Sequence, residues 1–435
     1  MNVLIEIVVL LAIFGQYIVS LYAIINKKFN LFAAVYLASL FFYDWLFINA
    51  YYFLPPLLLA VLKPYNEYLF LILLFRFIVS TVQHKKSKNA LADSIILALI
   101  VPSFIVLCAN DLSRNLNLSD TISGIRIYLL PILTPYLMYK AKWFNSLNTK
   151  KILSFLFTIS IISVIYGFFQ RQGFNGSVRS LWFYNFFNQY TENLVEIGPY
   201  NFIRNDVLRT TSFFVSPIIF SISLAIPTIY VLELLISKNK LFSRKYLLFV
   251  LVILCYGLLI CETRVGIIVS IISIAIHLVP KFFKFKYAYR IMLFVPFLAM
   301  ILTFLSLIFG YTDDLSALGR LTQYASFFEY FQPLGLGFNN EYVLTRFDTY
   351  YMSVGLVYGG LLIFPVWFYL RINKFLYKVV LLNIDSPDFL FLKSTLALSL
   401  TFIYSFAFQF TAGAYQYRVM FFLIFIALTY QKNDN

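Results

Sequence analysis

Titratable chemistry is scarce in this chain, and what is missing narrows the field before any motif is considered. Two histidines and three cysteines are too few and too scattered for a structural metal or a disulfide framework. Cys108, Cys255 and Cys261 all fall in or at the ends of apolar runs. Charged residues make up only 12% of the 435 positions and hydrophobic ones 61%, with a mean hydropathy of +0.82, which no soluble fold of this size could bury. Strand-period alternation, internal repeats and low-complexity tracts are absent. So is any glycine loop in a nucleotide-binding context. The first apolar run has no basic n-region and no small-residue cleavage site, so it reads as a retained helix and not as a secretory signal. Lysine is missing where arginine is not: residues 171–210 and 311–350 contain arginines and carboxylates but no lysine.

What is present is a series of apolar runs, at 3–25, 31–62, 67–83, 90–109, 121–139, 152–170, 211–232, 246–261, 265–280, 291–310, 351–370, 393–410 and 416–431. A helix of about 20 residues spans a bilayer core, and helices satisfy their own backbone there. The expectation is an all-α polytopic membrane protein, a single integral domain over 1–435. It has 13 or 14 transmembrane helices, depending on whether 31–62 crosses once or twice. Pro55-Pro56 marks a break or re-entrant segment inside that run.

A formal charge of +15 invites a nucleic-acid partner, but its distribution argues otherwise. Lys85, Lys86 and Lys88; Lys140, Lys142, Lys150 and Lys151; Lys238, Lys240, Arg244 and Lys245; Lys281, Lys284, Lys286 and Arg290; and Arg371, Lys374 and Lys378 cluster after alternate helices. That is the positive-inside pattern. It places 171–210 and 311–350 outside as two large loops, and the C-terminus inside. Lys27-Lys28 falls inside if 31–62 crosses once.

Charges within the spans are few. Asp44, between Tyr43 and Trp45, reads as an interfacial carboxylate. Arg76 lies mid-span and is expected to face protein or a wet cavity, paired with a carboxylate. Arg126, near the start of a span, either snorkels or faces a polar cavity. The stretch 110–120 reads as a polar external loop. The aromatic run Leu181–Tyr190 suits the headgroup plane or a groove mouth, and Phe327, Phe328, Tyr330 and Phe331 could line a short surface helix. Gly335 and Gly337 suggest a tight turn where side chains would obstruct.

Orientation alone needs no arginine outside, so the external arginines call for an anionic ligand. Arg209, Arg264, Arg320 and Arg346, with Glu341 and Asp348, are all placed near external helix ends. Guanidinium forks match phosphate oxygens bidentately. Several around one cavity would hold a pyrophosphate and stabilise it as a leaving group. A neighbouring carboxylate could accept the proton of an attacking hydroxyl.

Taken in order, these residues resemble the O-antigen polymerase and ligase superfamily of bacterial envelope glycosyltransferases. The matching elements are Arg209-Thr-Thr-Ser-Phe-Phe-Val-Ser-Pro217, Thr263-Arg264-Val-Gly266, Gly319-Arg320, Gly335-Leu-Gly337, and Asp348-Thr-Tyr-Tyr351 followed by Gly355, Gly359 and Gly360. They cover about residues 120–370. The family's acid or histidine is often followed by Asn, where this chain has Thr349. The resemblance implies a GT-C-like membrane fold and metal-independent glycan transfer without a cofactor at the external face of the bacterial inner membrane. It implies that Arg209, Arg264 and Arg320 contact the pyrophosphate of an undecaprenyl-linked oligosaccharide. Asp348, with Glu341 as the alternative, would activate the acceptor hydroxyl. Membrane lipids and a chain-length regulator are the further partners expected. The ligase branch places a histidine in the last large loop; here the only histidines are His84 and His277, which favours polymerase.

Three rivals remain at this level. A ligase would share the donor and change the acceptor. A polysaccharide flippase would carry its functional charges at the midplane, where Arg76 is the main one. A metal-dependent transferase would need an early acidic pair, whereas Asp44 and Glu67 are far apart and Asp313-Asp314 falls in the wrong loop.

Overall fold

The computed structural model describes residues 3–51, 53–83, 90–111, 118–173, 203–204, 207–214, 216–237, 241–308, 315–338, 350–408 and 414–430. In chain order the helices are α1 (Val3–Ile25), α2 (Phe29–Ala50), α3 (Pro56–Leu62), α4 (Tyr65–Gln83), α5 (Ala90–Val106), α6 (Leu118–Tyr128), α7 (Leu130–Lys140) and α8 (Thr149–Gly173). A two-residue antiparallel pair, β1 (Ile203–Arg204) and β2 (Val207–Leu208), follows, with Ile203 opposite Leu208. Then come α9 (Pro217–Ile236), α10 (Arg244–Ile260), α11 (Arg264–Phe282), α12 (Phe285–Ile308), α13 (Leu315–Tyr330), α14 (Tyr350–Tyr358), α15 (Ile363–Leu382), α16 (Phe389–Phe408) and α17 (Ala414–Leu428). The helix starts follow local chemistry. Ser216 caps α9 by accepting from Ile218 N, ahead of Pro217, and Ser243 caps α10 by accepting from Tyr246 N.

A helix falls on every apolar run, and the chain is a multi-pass membrane protein. Among the described residues six helical stretches are long and apolar enough to cross a bilayer: Glu6–Ile25, Phe29–Ala50, Ser94–Asp111, Thr149–Arg171, Pro217–Ile236 and Met352–Leu382. Two bent pairs, Pro56–Leu62 with Tyr65–Val79 (45°) and Thr121–Tyr128 with Leu130–Lys140 (58°), raise the number to eight if each is one span. The 13 or 14 crossings expected exceed this. Gly266–Ile276, Phe389–Thr401 and Arg418–Leu428 are apolar but short of the roughly 20 residues a perpendicular crossing takes. The run 31–62 resolves into one full-length helix, α2, and the short α3, which starts at Pro56 with its missing N–H in the first turn. At the α3–α4 break Tyr17 donates to Leu62 O (2.6 Å) and Tyr43 to Lys63 O (3.4 Å), while Ser20 Oγ and Tyr65 OH share a hydrogen bond (2.6 Å). The exposed carbonyls of the break thus find partners on α1 and α2.

The chain packs as two compact units, residues 1–69 with 142–271 and residues 70–141 with 272–435. In the first, α1 packs on α2, α8 on α2, and α9 and α10 on α8. A Cβ on Gly257 would stand 2.5 Å from Val164 Cγ2, so its absence lets α8 and α10 approach closely. Trp143, fully enclosed, is stacked on Phe29 and edge-on to Phe32, which fastens the 141–147 turn to the start of α2. In the second unit, α5 packs on α15, α7 on α17, and α12 on α16.

Two charges find their places in the fold, and two loop expectations are corrected. Asp44 is buried, on the side of α2 that faces the first unit. Arg76 is exposed on α4. Asn110 and Asp111, expected in an external loop, are buried in a π-helical turn, Leu107–Asp111, that extends α5. The segment 311–350 also departs from a loop where it is described, since α13 fills its first half.

Candidate functional site

At one end of the first unit three segments meet: the last turn of α8, the extended stretch 209–214, and the turn that joins α10 to α11. Gln170 Oε1 accepts from the backbone N–H of Thr211 (3.2 Å) and Ser212 (2.9 Å), and Gln170 Nε2 donates to Thr211 Oγ1 (3.1 Å). Ser212 Oγ donates to Ser163 O (2.6 Å). Gly167 makes room for this, because a Cβ there would stand 2.7 Å from Thr210 Cγ2. From the other side Thr210 N–H donates to Ile260 O (3.2 Å), the last residue of α10. Arg209 is thereby drawn beside the α10–α11 turn. It is buried, and it acts electrostatically on the Cys261 thiol.

The stretch continues into Phe213 and Phe214, which hold it in the bundle. Phe213 stacks on Tyr166 (centroids 4.2 Å apart) and meets Phe42 (4.7 Å) and Trp45 (5.9 Å) edge-on, and Trp45 Nε1 donates to Tyr166 OH (3.1 Å). Phe214 packs against Phe41 and Phe220. Two non-glycine residues here have left-handed backbone, Ser212 (φ 55°) and Glu262 (φ 50°). That conformation costs about 1–2 kcal/mol per residue and persists only where surrounding contacts over-determine it.

Sequence reasoning placed Arg209 and Arg264 in one site, and the structure brings their backbone segments together: Arg264 opens α11, four residues after Ile260. Arg171 is engaged otherwise, in an ion pair with Glu262 (3.0 Å). Residues that the sequence did not single out are the hydroxyls. Thr210, Thr263 and Ser221 are buried, and their oxygens have no hydrogen-bond partner among the described residues. Thr263 immediately precedes α11. Ser221 lies against its first turn, where Gly266 alone leaves space for Ser221 Oγ. Unsatisfied buried hydroxyls cost about 1–3 kcal/mol each. The buried Arg209, these hydroxyls and the N-terminal turn of the 19-residue α11 are carried on segments that meet here, and each type of group can donate a hydrogen bond to an oxyanion. For Thr263, a threonine at a helix start is the signal that could have found it.

In the second unit the glycines do what their spacing suggested. Gly335 (φ 76°) and Gly337 (φ 89°) both have left-handed backbone. A Cβ on Gly335 would collide with Val357 O, and one on Gly337 would stand 2.7 Å from Asp111 Oδ1. Leu336 N–H donates to Leu356 O (2.7 Å) and Gly360 N–H to Pro333 O (2.8 Å) across the break between α14 and α15, where Gly359 (φ 53°) starts a 3-10 turn, Gly359–Leu362. Asp111 Oδ2 accepts from Phe338 N–H (3.0 Å), and Asn110 Nδ2 donates to Leu334 O (2.9 Å). A buried carboxylate at a π-helical helix end therefore serves as a clamp on residues 332–338. Arg320 is carried on α13. Glu341, Arg346 and Asp348 lie outside the described residues.

Among the described residues no three His, Cys, Asp or Glu side chains are grouped so as to share a metal ion. Comparison with protein-family models, with curated proteins and with solved structures finds no match.

Proposed function

We propose that this protein is a membrane glycosyltransferase that polymerises undecaprenyl-pyrophosphate-linked oligosaccharide units into O-antigen or a related surface polysaccharide. The observation that supports the reading is the hydrogen bond from Thr210 to Ile260 O, which brings the Arg209 segment to the turn that leads into Thr263-Arg264. The order of motifs through residues 209–360 and the lysine-free arginine segments support it. In this reading the fold is GT-C-like and the protein lies in the bacterial inner membrane. Its two large loops are periplasmic and its C-terminus cytoplasmic.

The proposed reaction is a displacement. A hydroxyl of the incoming repeat unit attacks the anomeric carbon of the growing chain. A new C–O bond forms, and the bond from that carbon to the diphosphate breaks with its electron pair leaving on the diphosphate. Asp348, or Glu341, takes the hydroxyl proton. Arg209, Arg264, Arg320 and Arg346 bind the diphosphate, whose charge rises as it departs, and the Thr210 and Thr263 hydroxyls add donors to it. No metal or cofactor enters this scheme. A chain-length regulator is the further protein partner.

Deletion of the gene in its native host, followed by gel separation of surface polysaccharide, tests the reading. A single-repeat band is the expected outcome. Full-length polymer that is no longer attached would establish a ligase instead, and an unchanged ladder would remove the transferase altogether.

A further inference from the structure

Cations of the second unit that the proposed chemistry does not use gather where α12 meets α15. The two helices are tied by Tyr289 and Tyr377, whose rings stack with centroids 4.1 Å apart, and Arg290 stands close enough to Tyr377 to act on it electrostatically. Around this tie Lys286 and Arg290 lie one turn apart on α12, while Arg371, Lys374 and Lys378 recur at the spacing of one stripe along α15. All of them are exposed. Neither helix contains an Asp or Glu, and among the described residues none of these cations is in an ion pair. The carboxylates that come nearest in the chain, Asp385 and Asp388, lie in the turn between α15 and α16.

Orienting the chain asks only for lysine and arginine beyond the ends of the spans. Two features of this face go further. Arg371 lies inside the candidate span Met352–Leu382, about three turns before its end, where an exposed guanidinium is costly without an anion. It is held over the ring of Trp367, one turn back, at 4.9 Å. The second feature is aromatic. Phe282, Phe283 and Tyr287 are exposed and alternate with Lys284 and Lys286 around the α11–α12 turn. An acidic soluble protein would suit the lysines but neither the bare phenyl rings nor a guanidinium set back within a span. A phospholipid suits them all, with its phosphate on the cations and its glycerol and upper acyl chains on the rings.

We propose that the face shared by α12 and α15, with the α11–α12 turn, binds the headgroup of an anionic phospholipid in the leaflet at these helix ends. The inference is independent of the transferase reading. Arg290 and Arg371 grip phosphate oxygens with paired N–H groups, and Lys286, Lys374 and Lys378 add charge around them. A choline headgroup carries its own cation, so a zwitterionic lipid gains little on the same face.

The test is native mass spectrometry of the full chain in neutral detergent, with dioleoyl phosphatidylglycerol and dioleoyl phosphatidylcholine as probes. Phosphatidylglycerol is expected to bind at least roughly tenfold more tightly. Arg371→Gln with Lys374→Gln should abolish that preference. Lys150→Gln with Lys245→Gln removes the same charge from exposed positions on the first unit and should keep it. Equal binding of the two lipids by the wild-type chain would overturn the proposal, and that comparison needs no variant to fold. So would an unchanged preference in the Arg371 and Lys374 variant, or an equal loss in the Lys150 and Lys245 variant. Displacement of the lipid by equimolar glycerophosphoglycerol, the deacylated headgroup, would replace the lipid site with one for a free anion. Displacement by polyglutamate would replace it with a surface for an acidic protein.

Discussion

Individual side chains at the α8, 209–214 and α10–α11 junction divide into those that hold the backbone and those left to hold something else. Arg171 belongs to the first group. Its partly exposed pair with Glu262 resembles surface ion pairs worth about 0–1 kcal/mol, so Arg171→Gln should change thermal stability in detergent by less than that. Thr263 belongs to the second. Thr263→Val keeps the shape and removes the hydroxyl, and should lower polymer synthesis roughly tenfold at normal protein level, the value of a hydrogen bond to a charged group. Arg264→Lys should be worse still, because a point charge does not replace a bidentate fork. Wild-type polymer lengths from both variants would detach the diphosphate from this junction.

Among elements, the stretches between helices depend most on single residues. Gln170 satisfies two backbone N–H groups of the 209–214 stretch with one oxygen. Gln170→Leu leaves both buried and unpaired, for a loss of about 2–5 kcal/mol, read as a lowered unfolding temperature. The 332–338 segment is held by glycines that no side chain can replace. Gly335→Ala would combine left-handed strain with a collision at Val357 O and should cost at least about 2 kcal/mol. That turn was legible in the sequence as a Gly-Leu-Gly pattern. Its anchor was not: Asp111 lies 227 residues away from Phe338, and nothing in the local text of 110–120 distinguishes a buried clamp from a polar loop.

For the molecule as a whole, the proposed chemistry uses only guanidinium, hydroxyl and carboxylate groups. Synthesis in isolated membranes should therefore continue in EDTA, and loss of activity that added divalent metal restores would require a different mechanism.

Hydropathy, proline and capping residues act over a few positions. From them the sequence alone determined the helical class, the membrane setting, the break at Pro55-Pro56 and the starts of helices such as α9 and α10. It also singled out Arg209 and Arg264, whose backbone segments the fold brings together. Packing between remote segments decided the rest: the burial of Asp44, the exposure of Arg76, and the docking of residues 209–212 between α8 and Ile260. The aromatic cluster that joins Phe213 to α2 was decided the same way. These outcomes depend on which faces of uniformly apolar helices meet. Where every face is hydrophobic, periodicity carries no information about the neighbour, and only the fit of side chains in three dimensions selects it.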